Sequence, residues 1–186
     1  EDLVRHMVLN SLRGYRVKFS EEYGELVICC DNRKYWRKEV FPFYKASRKK
    51  YRANSDYDWT LIFETINKIR DELKEVFPYK VIDVLGAEAD DIISVLTTNY
   101  ANAWGSVEKI LILSGDKDFM QLINDNVFLY APGTKNKPDK IYDKDIVGNS
   151  DAMQLMCWFG CWNHDCISSL YKPYKIVGID RIHFCL

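Results

Sequence analysis

Four short, mostly apolar runs constrain this chain most. They are Val27-Ile28-Cys29-Cys30, Lys80-Val81-Ile82-Asp83-Val84, Lys109-Ile110-Leu111-Ile112-Leu113-Ser114 and Val127-Phe128-Leu129-Tyr130. A continuous apolar run of this length, bounded by turn residues, reads as a strand buried on both faces. Helical patterns lie between the runs. Trp59, Ile62, Phe63, Ile66, Ile69, Leu73 and Val76 recur every three or four residues. That spacing predicts an amphipathic, core-facing helix of about five turns, which Pro78 ends. Ala87 to about Tyr100 predicts a second, with Ile92, Ile93 and Leu96 on one face, and Phe119 to Ile123 a short third. Leu3, Val4, Met7, Val8 and Leu12 give the chain a helix-like opening, and Pro42 is expected to open a helix running through Lys50. Strands alternating with helices predict an α/β fold with a mostly parallel sheet flanked by helices. In such sheets ligands gather at the carboxyl ends of the strands.

Acidic residues stand at those ends. Asp31 follows the first run, Glu88-Ala89-Asp90-Asp91 opens the helix after the second, and Ser114-Gly115-Asp116-Lys117-Asp118 follows the third. Converging carboxylates repel, so gathering them is costly unless a cation joins them. An all-oxygen set without nearby His points to Mg²⁺ or Mn²⁺ rather than zinc. Read singly, Glu88-Ala-Asp-Asp is an acidic first helical turn and Asp31 a turn residue; the two acidic motifs together favour the site.

The net charge is only −1, but it is unevenly spread. Residues 33–52 hold nine Lys/Arg against the single acid Glu39, a local charge of +8, which leaves −9 on the remainder. A basic segment on an acidic body predicts a polyanion held over a cation site; a solvated basic loop is the plainer alternative. Such a segment is expected to be mobile and largely exposed, since its charge cannot be buried unpaired.

With 186 residues, 47% hydrophobic and 28% charged, the chain suits one soluble domain with a sizeable core. No apolar run reaches the ~20 residues needed to span a bilayer. The chain starts at Glu1 rather than Met and opens straight into a helical pattern, which predicts a true N-terminus further upstream. Residues 151–186 differ in composition: six of 36 are charged, and four of the six cysteines lie there. Reduced, cytosolic thiols fit better than a disulfide framework. Cys157, Cys161, His164 and Cys166 are too tightly spaced, and lack a second pair, for a convincing structural zinc site. The expected division is a core over 1–150 followed by a truncated or degenerate segment over 151–186, or a stretch read in a shifted frame.

Taken in order, these pieces resemble the structure-specific 5′ nucleases, a family that includes flap endonucleases, the 5′ nuclease domain of DNA polymerase I and, most similar, the ribonuclease H of T-even-like bacteriophages. Cys30-Asp31-Asn32 resembles the second-strand acid. Trp36-Arg37-Lys38 and Tyr44-Lys45-Ala46-Ser47-Arg48 resemble the basic helical arch. Glu88-Ala89-Asp90-Asp91 and Ser114-Gly115-Asp116-Lys117-Asp118-Phe119 complete the order. The resemblance covers roughly residues 1–145. It implies a PIN-like α/β fold and hydrolysis of phosphodiesters with two Mg²⁺ ions about 4 Å apart, for which Mn²⁺ can substitute. Asp31, Glu88, Asp90 and Asp116 would hold the first ion, and Asp118 and Asp165 would bias the second. Asp91 would be an outer acid or a charge on the helix dipole. Arg37 and Lys45 would reach the scissile phosphate. Arg33, Lys34, Lys38, Arg48, Lys49, Lys50 and Arg52 would contact nucleic acid, and Tyr44 would stack on an unpaired base or else pack with Phe41 and Phe43.

Two departures stand out. The family's first catalytic Asp sits on a strand ahead of the first helix, and this sequence shows no such strand, which predicts an open sheet centre, low stability and weak or absent activity. The helix-three-turn-helix element that grips duplex DNA has its best match at Cys161 to Ile167, keeping only Asp165. The expected function is 5′ to 3′ exonuclease and flap endonuclease action with ribonuclease H activity. The implied substrates are DNA or RNA–DNA hybrid with a 5′ flap during phage replication, acted on by a monomer in the host cytoplasm, with a single-strand-binding protein or clamp as partner. Two other readings stay open: a non-catalytic junction-binding module, and a PIN-like ribonuclease, against which the long basic segment argues. A phosphatase-like enzyme for small substrates is disfavoured by the same segment.

Overall fold

The computed structural model describes residues 2–102, 108–148 and 177–179. In chain order the elements are α1 (Asp2–Tyr23), β1 (Val27–Cys30), α2 (Arg37–Val40), α3 (Ala46–Ala53), α4 (Trp59–Glu75), β2 (Lys80–Asp83) and α5 (Ala89–Asn102). There follow β3 (Ile110–Leu113), a 3₁₀ helix (Lys117–Leu122), β4 (Val127–Ala131), β5 (Lys140–Tyr142), α6 (Lys144–Gly148) and β6 (Val177–Ile179). The strands form one sheet in the order β2-β1-β6-β3-β4-β5. Every pairing is parallel except that of β5 with β4. The mostly parallel α/β sheet expected from the sequence is the one observed.

The apolar runs are continuous because the sheet is covered on both faces. Val27 and Cys29 of β1, Ile110 and Ile112 of β3, and Val127 and Leu129 of β4 pack with Ala89, Ile92, Ile93 and Leu96 of α5. Ile28, Leu111, Leu113 and Tyr130 point the other way, against Val8, Leu12 and Phe19 of α1 and Ile69 and Leu73 of α4. Alternate residues of each strand therefore serve opposite cores, which is the period of two that a pleated strand imposes. Ile92 and Ile93 are fully buried, and side chains of that kind contribute about 1.5–3 kcal/mol each.

Four local expectations are corrected. Pro42 does not open a helix: α2 ends before it at Val40, Phe41 is extended, and α3 begins only at Ala46. The helix over residues 119–123 is a 3₁₀ turn that starts two residues earlier, at Lys117. Phe63 is not core. It is 40% exposed, and the Arg52 guanidinium covers it at 4.8 Å from the ring centroid. Finally, no strand precedes α1 among the described residues, yet the sheet centre is not open. β6 lies there, with Gly178 opposite Val27 of β1 on one side and Val177–Ile179 opposite Leu111–Leu113 of β3 on the other. Two facing rows of unpaired backbone groups would be costly inside a covered sheet, and a third strand satisfies both. Apart from β6, residues 151–186 lie outside the described residues, and so do Asp165 and the Cys/His group.

Candidate metal and nucleic-acid site

Because β1, β2 and β3 run parallel, their carboxyl ends share one edge. Asp31 follows β1, the loop to α5 follows β2, and Ser114-Gly115-Asp116 follows β3. β1 and β3 are separated by β6, so the strands that lead to Asp31 and Asp116 lie about 9.5 Å apart, two strand spacings.

Asp31 and Glu88 meet at the start of α5. Oδ1 of Asp31 accepts from the Ala89 amide at 2.8 Å, capping a helix that begins 58 residues later. Oδ2 of Asp91 accepts from the Glu88 amide at 3.0 Å. Both bonds satisfy amides that a helix N-terminus leaves unpaired. Asp90 is half-buried in the same turn. Across the sheet, Asp116 caps the 3₁₀ helix by accepting from the Asp118 amide at 3.0 Å, and Asp118 is exposed.

The basic segment is brought to this edge by backbone pairing. Gly86 takes φ +88°, a conformation that glycine adopts without strain. The loop can then pair with the segment after β1: Gly86 N–H donates to Lys34 O at 3.1 Å, Trp36 N–H to Gly86 O at 3.0 Å, and Asn32 N–H to Ala87 O at 3.2 Å. This alignment sets Arg37 beside α5.

Glu88 is the centre of what results. It is 1% exposed. Lys45 Nζ lies 2.5 Å from its Oε1, Arg37 Nη1 2.9 Å from its Oε2, and the Tyr44 hydroxyl donates to Oε2 at 3.1 Å. Arg37 also forks onto Asp91, with both bonds at 2.7 Å. The Arg37 guanidinium sits 4.7 Å over the Trp36 ring, and Lys45 Nζ sits 5.0 Å over Tyr44. Tyr35 and Tyr44 meet edge to face at 5.9 Å. Burial works against the Arg37 charge, but the hydrogen bond and charge of Asp91, then Glu88, more than offset it and hold the guanidinium more firmly protonated than usual. Burial, and then Glu88, pushes the Tyr44 hydroxyl up to about 12.

The donor chemistry fits a hard cation. The acids offer only oxygen, and the neighbouring Cys30 thiol is pushed by burial, then by Asp83, to about 11, so it stays protonated at neutral pH. The positions as they stand do not form a metal cage. Among the described residues no three His, Cys, Asp or Glu side chains gather closely enough to hold an ion. Glu88 and Asp91 are held by basic groups instead.

Of the residues proposed for nucleic-acid contact, Arg33, Lys34, Lys38, Arg48 and Lys50 are exposed. Arg52 is half-buried against Trp59 and Phe63. Arg37, Tyr44 and Lys45 are turned inward, so the segment is not exposed throughout. Tyr44 spends its hydroxyl on Glu88 and packs with Tyr35. Open aromatic faces are offered instead by Phe41 and Phe43, 55% and 74% exposed and paired at 5.9 Å, and by Tyr51, 73% exposed. Sequence reasoning missed the Arg37–Asp91 fork, the Tyr35–Trp36 frame and the role of Gly86. The adjacency of Tyr35, Trp36 and Arg37 was the available signal for the frame, and nothing local signalled the fork.

A mostly parallel α/β sheet with acids along one carboxyl edge and a basic segment folded over two of them is the arrangement of a resolvase-like α/β domain. Residues 4–150 match the family described as the 5′-3′ exonuclease, N-terminal resolvase-like domain, and the chain belongs to that family. It is 44% identical over 126 residues to the ribonuclease H of Enterobacteria phage T4, covering 64% of this chain and 39% of that protein. It is 30% identical over 138 residues to a 5′-3′ exonuclease of Buchnera aphidicola, covering 73% of this chain and 44% of that one. The fold is similar to a structure of T5 5′-exonuclease with divalent metal ions (zinc) bound. That match has a TM-score of 0.57 at 18% identity and covers 75% of this chain and 51% of the other. The chain thus spans about two fifths to one half of the length of these relatives. No helix among the described residues is long and apolar enough to cross a membrane.

Proposed function

We propose that this chain carries the catalytic core of a divalent-metal-dependent 5′ to 3′ exonuclease and flap endonuclease. It would hydrolyse phosphodiesters near single-strand/duplex junctions and remove RNA primers or 5′ flaps during phage DNA replication in the host cytoplasm. The observation that carries this reading is the basic segment pinned across the carboxyl edge of the sheet, with Arg37 and Lys45 directly on the acids. Asp31, Glu88, Asp90 and Asp116 are the residues that would hold an Mg²⁺ ion, with Asp118 nearby and Asp165 in the part not described. A divalent ion there supplies an activated water and neutralises phosphate charge. The chain's own groups do the rest. Arg37 and Lys45 meet the scissile phosphate, and Arg33, Lys34, Lys38, Arg48 and Lys50 hold neighbouring phosphates. Lys49 belongs to the same basic run. Phe41 and Phe43, rather than Tyr44, offer ring faces to unpaired bases. The comparison at 44% identity with a phage ribonuclease H supports an RNA–DNA hybrid among the substrates.

A second reading is favoured by one observation: Glu88 is already engaged by two cations. A module that binds junctions without cutting them needs no free carboxylate. The two readings separate on a labelled 5′-flap duplex incubated with the chain in Mg²⁺ or in EDTA. Short 5′ products that require Mg²⁺ support the nuclease. Tight, salt-sensitive junction binding without products supports the module. No preference for the flap over a blunt duplex would overturn both.

A further inference from the structure

The family reading calls for a cation at the acidic edge, whereas the side chains show Glu88 and Asp91 on that edge already held by basic groups. We propose that Arg37 and Lys45 are tethered stand-ins for a divalent ion, so that the closed basic segment and a bound ion exclude one another at Glu88. The inference rests on the reading of the edge as a metal site.

Stereochemistry carries the argument. A carboxylate offers about four lone-pair sites, and Glu88 is almost wholly buried with three donors on its two oxygens. A buried carboxylate must have a counter-charge, and Lys45 and Arg37 provide it. Lys45 reaches it at a cost. It holds φ 56°, ψ 20°, and it is the one non-glycine residue with positive φ among the described residues. Strain of this kind persists only when surrounding contacts impose it. Here the contact is the 2.5 Å pair with Glu88. Arg37 is fixed in the same way by its fork on Asp91 and its place over Trp36. α3 begins immediately after Lys45, so releasing Glu88 relaxes the residue on which that helix hangs. Ion binding would then free Lys45 and release Arg37 from Glu88 while Asp91 keeps it beside the ion, where an incoming phosphate needs both charges.

The test is Mn²⁺ binding to the full chain without nucleic acid, by calorimetry, for wild type, Lys45→Gln, Arg37→Gln and Glu88→Gln. Losing one charge-assisted contact should tighten Mn²⁺ binding about tenfold in either of the first two variants, and Glu88→Gln should abolish it. As a readout on the unaltered chain, Mn²⁺ should speed trypsin cleavage after Lys45, with trypsin activity on a reference peptide held equal. If a variant fails to fold, this second measurement decides alone. Wild-type Mn²⁺ binding with unchanged variant affinities and unchanged trypsin cleavage would overturn the proposal and leave the metal reading intact. No Mn²⁺ binding by wild type or either cation variant would overturn both.

Discussion

Lys45 shows how much a single residue can be asked to do. Its left-handed backbone costs roughly 1–2 kcal/mol for a residue with a Cβ, and its side chain is 16% exposed against an almost fully buried Glu88. Breaking a buried pair by removing one partner costs about 3–5 kcal/mol, but Arg37 remains on Glu88 and softens the loss. Lys45→Ala loses the pair and keeps the strain; Lys45→Gly loses the pair and sheds the strain. Both should be less stable than wild type, with the glycine variant about 1 kcal/mol more stable than the alanine variant in urea denaturation. Equal midpoints would mean that the strain is not stored there. Cys30 gives a pH-dependent counterpart. Its folded pKa is raised to about 11, so this contribution to stability is complete below the unfolded value near 9 and is lost as pH rises from there through about 11. Iodoacetamide labelling of Cys30, followed by peptide mapping, should be slow at pH 8 and become fast only near pH 11, while the unfolded chain labels at pH 9. Fast labelling of the folded chain at pH 8 would contradict the burial argument.

Among the elements, β1, β3 and β4 were legible because their apolar runs face two cores at once and a strand buried on both sides leaves an unbroken trace, and the edge strand β2 was legible from Val81 and Ile82, which point to opposite cores. β5 left none: it pairs on one side only, at the sheet edge, and Lys140 and Ile141 are exposed. Pro42 misled for a different reason. Proline favours a first helical turn, but here the chain must turn between α2 and α3 to lay Tyr44 and Lys45 on Glu88, and that tertiary demand prevails. The acids were legible as motifs at strand ends. The Arg37–Asp91 fork was not, since side chains 54 residues apart share no local pattern. Gly86 is the hinge linking these elements. A Cβ there would meet nothing within 4 Å, but φ is +88°, so Gly86→Ala carries a purely conformational penalty of about 1–2 kcal/mol. The variant should show that loss in urea denaturation, and trypsin should cut faster after Arg37 as the loop pairing loosens. An unchanged midpoint would show that the loop turns without this conformation.

For the whole molecule, the division into a +8 segment and a −9 remainder could be read from residue counts alone, and the structure turns it into contact: the basic segment lies on the acids rather than away from them. What could not be read was how the sheet is joined. Among the described residues β6 is the strand that connects β2-β1 to β3-β4-β5. A three-residue strand containing glycine gives too short a pattern to recognise. The same placement corrects the expectation of an open centre and makes a prediction of its own. Gly178 stands opposite Val27 on one side and Ile112 on the other. Proline has no N–H and does not fit a strand paired on both sides. Gly178→Pro should therefore split the sheet into two halves with bare edges, lowering the melting temperature and promoting aggregation in light scattering. Gly178→Val, which suits a strand, separates loss of pairing from loss of glycine and should melt above the proline variant. If proline at 178 leaves both melting and solubility unchanged, then β1 and β3 are held together by α1, α4 and α5 alone, and the sheet does not depend on β6.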